Sequence, residues 1–162
     1  MNAYSDIVSV LRRHFDSCIA MLDEVAARCP ESLWAEADRG APIWQHLYHT
    51  LTGVEFWFRE GEEFVPLAFG KAVSPDLDKQ TQECLTKDEL REYRGRIQEM
   101  CARFFATMDA RHPLEESRIT EVFTKTDLVL MQIRHVQHHV GYCNSILRAH
   151  GIEGAPWVGY GE

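Results

Sequence analysis

His135 and His139 stand four residues apart in the run Arg134-His135-Val136-Gln137-His138-His139-Val140-Gly141, inside a long apolar-periodic stretch. On an α-helix that spacing stacks the two imidazoles on one face, a turn apart. Neutral imidazole is a common ligand of zinc, nickel, iron and copper, so the two rings can converge on one ion. Burying both without partners is costly, because each ring carries one donor and one acceptor that must be satisfied. A metal occupies both acceptors at once and leaves each N–H for an outer oxygen. The competing arrangement is a hydrogen-bonded pair of core histidines with no ion.

A third ligand has to come from another helix. His49 leads and His46 competes with it, in the run Gln45-His46-Leu47-Tyr48-His49. Three residues apart, both can reach one ion, and helical phase does not choose between them. His46 and His138 are the candidates for an additional ligand. Three histidines with an open fourth position make the arrangement of catalytic zinc, in which the ion lowers the pKa of bound water or thiol or polarises an oxygen. A closed set of four ligands makes a structural site instead. No residue presents itself as catalytic acid or base: Glu55 lies six residues past His49, turned about 120° around a helix. There is no H-E-x-x-H pair, no Gly-rich phosphate loop and no G-x-S-x-G elbow. His14, His112 and His150 sit in charged, loop or helix-end positions and read as solvated.

The elements that must position these rings are helices. Ile7, Leu11, Phe15, Cys18, Leu22, Val25 and Cys29, spaced by three and four, predict a first helix from about Ser5, its N-cap, to Arg28 before Pro30. A second, from Pro42 as first helical residue to about Glu60, carries the stripe Ile43, Leu47, Leu51, Val54 and Phe58. Trp44, Tyr48, Phe56 and Trp57 spread apolar surface around its other sides, so it should be buried on more than one side. Residues 61–85, with two glycines and two prolines, form a long connection that suggests a crossover or a lid. Thr86-Lys87-Asp88-Glu89 is a capping box opening a third helix to about Asp109, striped by Leu90, Tyr93, Ile97, Cys101, Phe104 and Met108. Residues 110–125, containing Pro113, leave room for a short extended piece. The last helix runs from about Asp127 to His150, with Thr126 as cap and Gly151 as its stop. On its wheel Leu128, Met131, His135, His139, Tyr142 and Ile146 share one arc, expected to face the core. The tail, 151–162, is expected to pack on the bundle, with Trp157 docked. The fold class is therefore all-α, a four-helix bundle with a long crossover between the second and third helices, in a single domain over 1–162.

Composition narrows the function. The 162 residues are 45% hydrophobic and 26% charged, the profile of a soluble globular protein large enough to bury a core. A net charge of −8 with no Lys/Arg stripe argues against nucleic acid as a partner. The N-terminus lacks a signal-peptide pattern and no apolar stretch spans a bilayer, so the expectation is a cytoplasmic protein with no membrane partner. Five scattered cysteines without a C-x-x-C pair read as reduced thiols.

Pro42-Ile43-Trp44-Gln45 with Tyr48-His49-Thr50-Leu51, followed by His135-x-x-His138-His139-x-Gly141-Tyr142-x-Asn144-Ser145-Ile146-Leu147-Arg148, resembles the DinB/YfiT-like superfamily. The resemblance implies a four-helix bundle, often a homodimer, with metal ligands His49, His135 and His139. It also implies a divalent ion, zinc or nickel foremost and iron or copper next, and chemistry on a small-molecule substrate. Relatives of that kind include thiol-dependent S-transferases and isomerases using mycothiol, bacillithiol or glutathione, so a low-molecular-weight thiol is a candidate cofactor. The expected function is a metal-dependent thiol S-transferase or hydrolase; the alternative is a non-catalytic stress-associated dimer or small-molecule-binding bundle. Trp44, Gln45, Tyr48, Arg134 and Tyr142 are the candidate substrate contacts, with core packing the competing role for the aromatics.

Overall fold

The computed structural model describes residues 3–37, 40–61, 63–109, 111–112, 115–117 and 122–159, the first four of these in backbone only. Among them the chain is all-helical: α1 (Ala3–Arg28), α2 (Glu31–Trp34), α3 (Ile43–Phe58), α4 (Lys87–Ala106) and α5 (Lys125–Ala149). One isolated antiparallel bridge, Glu116 to Thr124, is the extended piece expected before α5. Pro113, Tyr160 and Gly161 lie outside the described residues.

The apolar stripes decide the packing. In α1, Leu11, Phe15, Cys18, Leu22, Val25 and Cys29 are buried, while Ile7 at the start of the stripe is exposed. This helix begins before Ser5, which therefore sits inside its first turn instead of capping it. Pro42 is the N-cap of α3, one position earlier than expected, with φ −69° and ψ 162°. α3 packs against α1, α4 and α5, which is why its Ile43, Leu47, Leu51, Val54 and Phe58 stripe and the flanking Trp44 and Tyr48 are all buried. Phe58 stacks on Phe104 of α4 at 4.1 Å and touches Phe15 of α1 at 5.4 Å, so three helices share one aromatic contact.

The helix ends are held by local chemistry. Thr86 accepts from the Glu89 amide while the Glu89 carboxylate accepts from the Thr86 amide, the capping box read from the sequence. For α5 the same device uses Thr124 and Asp127, so the cap is Thr124 and not Thr126. Both threonines precede the apolar run; only Thr124 has an acid at its third helical position. At the other end Gly151, φ +73°, and Ile152 return their amides to the Arg148 and Leu147 carbonyls. That closing pattern needs a left-handed residue, which glycine adopts without cost.

Two expectations fail beyond α5 and within it. Trp157 is 74% exposed; the tail is held instead by Asn144, whose amide and carbonyl groups pair with the Ala155 backbone at 3.2 and 2.7 Å. The deepest line of α5 is Leu128, Val129, Gln132, Val136, Cys143 and Leu147, all at most 1% exposed. Of the arc expected to face the core, Leu128, His139 and Ile146 are buried, whereas Tyr142 is 39% exposed and Met131 and His135 are half-buried. α5 packs on both α1 and α3, so its buried sector is wide and centred between the two contacts. The short α2 was not legible; its Trp34 donates from Nε1 to the Leu85 carbonyl at 2.7 Å and anchors the end of the 59–86 connection. No helix among the described residues is long and apolar enough to cross a membrane.

Gln45 anchors the middle of that connection. Its side chain is 2% exposed, and its amide nitrogen lies 3.1, 2.8 and 2.8 Å from the carbonyls of Ser74, Asp76 and Lys79. The sequence offered Gln45 as a substrate contact; the structure uses it to fold the connection back onto α3. Gln45→Leu keeps the bulk and removes the donor to the Ser74 and Lys79 carbonyls, while Asp76 O keeps the Lys79 amide, so it should lower stability by about 1–3 kcal/mol and accelerate amide exchange across 74–79. Unchanged unfolding and unchanged exchange in that segment would contradict the assignment.

Candidate metal centre

α3 and α5 run antiparallel where they meet, so His46 lies opposite His139, and His49 and Gly53 lie opposite His135. The ring centroids of His49, His135 and His139 are 4.7–5.1 Å apart in all three pairs, each pair tilted by 63–88°. Each offers a ligand atom, and the three atoms lie within 4.8 Å of one another. An ion bound at about 2.0–2.1 Å holds such nitrogens roughly 3.3 Å apart, so side-chain shifts of about an ångström close the set.

What identifies the converging atoms is the occupation of the others. His49 Nδ1–H donates to the Pro75 carbonyl at 2.9 Å, and His135 Nδ1–H donates to Gln132 Oε1 at 3.2 Å. His139 Nδ1 pairs with His46 Nδ1 at 3.0 Å. Every ring thus spends Nδ1 on an outer partner and leaves Nε2 for the centre, the tautomer arrangement that metal-binding histidines require. Pro75 is in position because Gln45 holds the residues on either side of it.

Burial keeps the rings neutral. It lowers His135 from the ordinary 6.5 to about 4, with repulsion from His49 and His138 adding to the effect. His139 falls to about 3 and His46 to about 4, again by burial first and neighbouring histidines second. Neutral rings are competent donors at physiological pH, so the residues present fit a divalent ion.

The other expected residues take different places. His46 and His138 stand outside the three-atom group: His46 is buried behind His139, its ring 4.4 Å from that of Tyr142, and His138 is exposed with its ring 5.0 Å from His139. Trp44 and Tyr48 stack on each other at 6.3 Å in the core, and Tyr48 also meets Tyr93 of α4 at 5.9 Å. Burial pushes the Tyr48 phenol up to about 12, which removes it from acid–base work near neutrality. Arg134 is exposed on the outer face of α5. Tyr142 keeps a place beside the centre, through its contact with the His46 ring.

Two residues at the centre were missed. Gln132 is 1% exposed and orients His135; its signal was an amide three residues before a histidine on one helical face. Gly53 is mid-helix, where a Cβ would come within 2.6 Å of His135 Cε1 and 3.1 Å of its Nδ1. A glycine costs about 1 kcal/mol in a helix relative to alanine, and here it makes room for the ring. Next to His49 and His135 a cavity of about 560 Å³ opens between α3, α5 and the connection, lined largely by aromatic and aliphatic side chains.

The chain matches the sequence model of the DinB superfamily over residues 14–143. No curated protein and no solved structure matches it.

Gly53→Ala should displace His135 and weaken zinc binding by roughly tenfold to a hundredfold, although alanine favours the helix itself. Competition titration with a chromophoric chelator measures this; wild-type affinity in the variant would show that the close approach is irrelevant. A second expectation concerns acid. Between the unfolded value of 6.5 and the folded values of about 4 and 3, the unfolded chain binds more protons at His46, His135 and His139. Stability of the metal-free protein therefore falls as pH drops from 6.5 to 5, and His135→Ala/His139→Ala should flatten that slope in thermal unfolding. A slope of equal size in the double variant would contradict it.

Proposed function

The chain belongs to the DinB superfamily, and from that premise we propose that it is a metal-dependent enzyme whose ion is held by His49, His135 and His139. The reading takes the four long helices as a four-helix bundle with 59–86 as its crossover, and it keeps the homodimer as part of the proposal. The observation that supports it is one of geometry. Three imidazoles, each with Nδ1 engaged by an outer partner and each offering a ligand atom within 4.8 Å of the others, stand beside a cavity that leaves a fourth side open. A structural site would close that fourth side with a protein ligand. Bound there, a zinc- or nickel-type ion supplies a Lewis acid that lowers the pKa of a thiol or water and favours attack on a small electrophile.

The chain's own residues do the rest. Pro75 O and Gln132 Oε1 hold protons on His49 and His135 at Nδ1, so neither ring can turn its protonated nitrogen inward. His46, neutral and buried, accepts from His139 Nδ1–H in this reading, which leaves His139 Nε2 unprotonated for the ion. Phe56, Trp57 and Met131 wall the adjoining cavity and limit water there. A thiol and water remain the two candidate nucleophiles, and both need this open side.

Protein purified without chelators should carry close to one zinc- or nickel-type ion per chain, and His135→Ala/His139→Ala should carry none. With the ion present, conjugation of small electrophiles to added low-molecular-weight thiols, or their hydrolysis without thiol, should proceed in wild type and be abolished in the double variant. Metal retained by the double variant, or turnover independent of metal, would overturn the proposal.

A further inference from the structure

We infer that the cavity beside the three imidazoles seats a flat, uncharged aromatic group of the substrate, with Phe56, Trp57 and Phe64 as its recognition surface. The chemistry at the centre rests on the metal reading; the binding of the aromatic group does not.

The cavity's size comes first. At about 560 Å³ it is several times the roughly 150 Å³ that suffices for one benzene, and it falls in the usual range for small-molecule sites. One or two fused rings with a substituent fit within it. Its walls are themselves rings set on edge to one another. Phe56 meets Trp57 at 5.0 Å and 87°, and Phe64 at 5.2 Å and 83°. A flat guest lying against them gains an edge-to-face contact with one wall and offset stacking with another. An aliphatic chain fills the same volume without that gain.

The walls are also fixed. The Arg59 guanidinium covers Phe56 at 4.1 Å from its centroid and bonds the Phe56 carbonyl, so the ring has one orientation to offer. Met131 on α5 also lines it with an adaptable thioether, and Gly53 lets the His135 ring pack close beside it.

Charge settles which aromatics fit. No lysine or arginine lines the cavity, and Asp76 at its rim is acidic, in a chain of net charge −8. In the metal-free protein a carboxylate or phosphate on the guest would meet no cationic side chain among the described lining residues and would lose its water. Polar contacts are concentrated at the end where His49, His135 and Gln132 stand, so the guest's reactive substituent points there.

The test uses 2-naphthol as probe, with 2-naphthoate and cyclohexanol as comparators, on metal-free and zinc-loaded full-length protein. Binding is followed by calorimetry and by the Trp57 indole N–H resonance, assigned with Trp57→Phe. We expect 2-naphthol to bind both forms, shift Trp57, and exceed each comparator at least about tenfold on the metal-free protein. Phe64→Ala, on the connection and outside any helix, and Met131→Trp, which fills the space, should each weaken it about tenfold while circular dichroism stays unchanged. Equal binding of naphthoate by the metal-free protein, an unmoved Trp57 resonance, or affinity indifferent to Met131→Trp would overturn the inference. So would a dimer that buries Phe64 and excludes the probe, detected by sedimentation of wild type beside Phe64→Glu. Binding of 2-naphthol by a protein that takes up no metal would sustain the aromatic seat and defeat the metal reading. The two failures are therefore distinguishable.

Discussion

An imidazole buried between helices has two nitrogens to satisfy, and the rest of this structure is arranged around the second one. Four histidines crowd the seam of α3 and α5, three of them lowered to about 3–4 by burial and mutual repulsion. Neutral rings at that density demand a partner for every Nδ1, since an unpaired buried polar atom costs about 1–3 kcal/mol. The partners come from three different places: a loop carbonyl at Pro75, a neighbouring side chain at Gln132, and another imidazole at His46. Each has its own support, Pro75 through Gln45 and the close approach of His135 through Gly53. With Nδ1 engaged on every ring, Nε2 is the nitrogen left to His49, His135 and His139, which offer ligand atoms within 4.8 Å of one another.

Much of this frame was legible because it is local. The apolar stripes of α1, α3 and α4 follow from spacing alone, and Thr86 with Glu89 carries a capping signal within four residues. The His135–His139 pair was visible for the same reason. What was not legible depends on contacts far apart in sequence. Gln45 reads as a site residue until the 74–79 segment folds onto it. Tyr48 reads as a contact until α4 places Tyr93 against it. Helical phase could not choose between His46 and His49, since both face α5; the choice is made by Pro75, which reaches one of them from across the connection. Trp157 was expected to dock because it is large and apolar, but the tail is fastened by Asn144 hydrogen bonds instead.

The same arrangement separates two tasks within one seam. Toward His46 and Tyr142 the centre is packed and closed by rings. Toward Thr52, Phe56 and Met131 it opens into a largely apolar cavity with Asp76 at its rim. In the proposed reading, ligand support and substrate space lie on opposite sides of His49 and His135.

The central claim is that three Nε2 atoms, and only three, bind one ion and leave a side open. X-ray absorption at the metal edge of zinc-loaded protein tests it most directly. The account predicts three imidazole nitrogens with one or two oxygen scatterers, which a small added thiol replaces by a single sulfur. A shell of four imidazoles, unaltered by thiol, would mean that His46 or His138 closes the site and would contradict it.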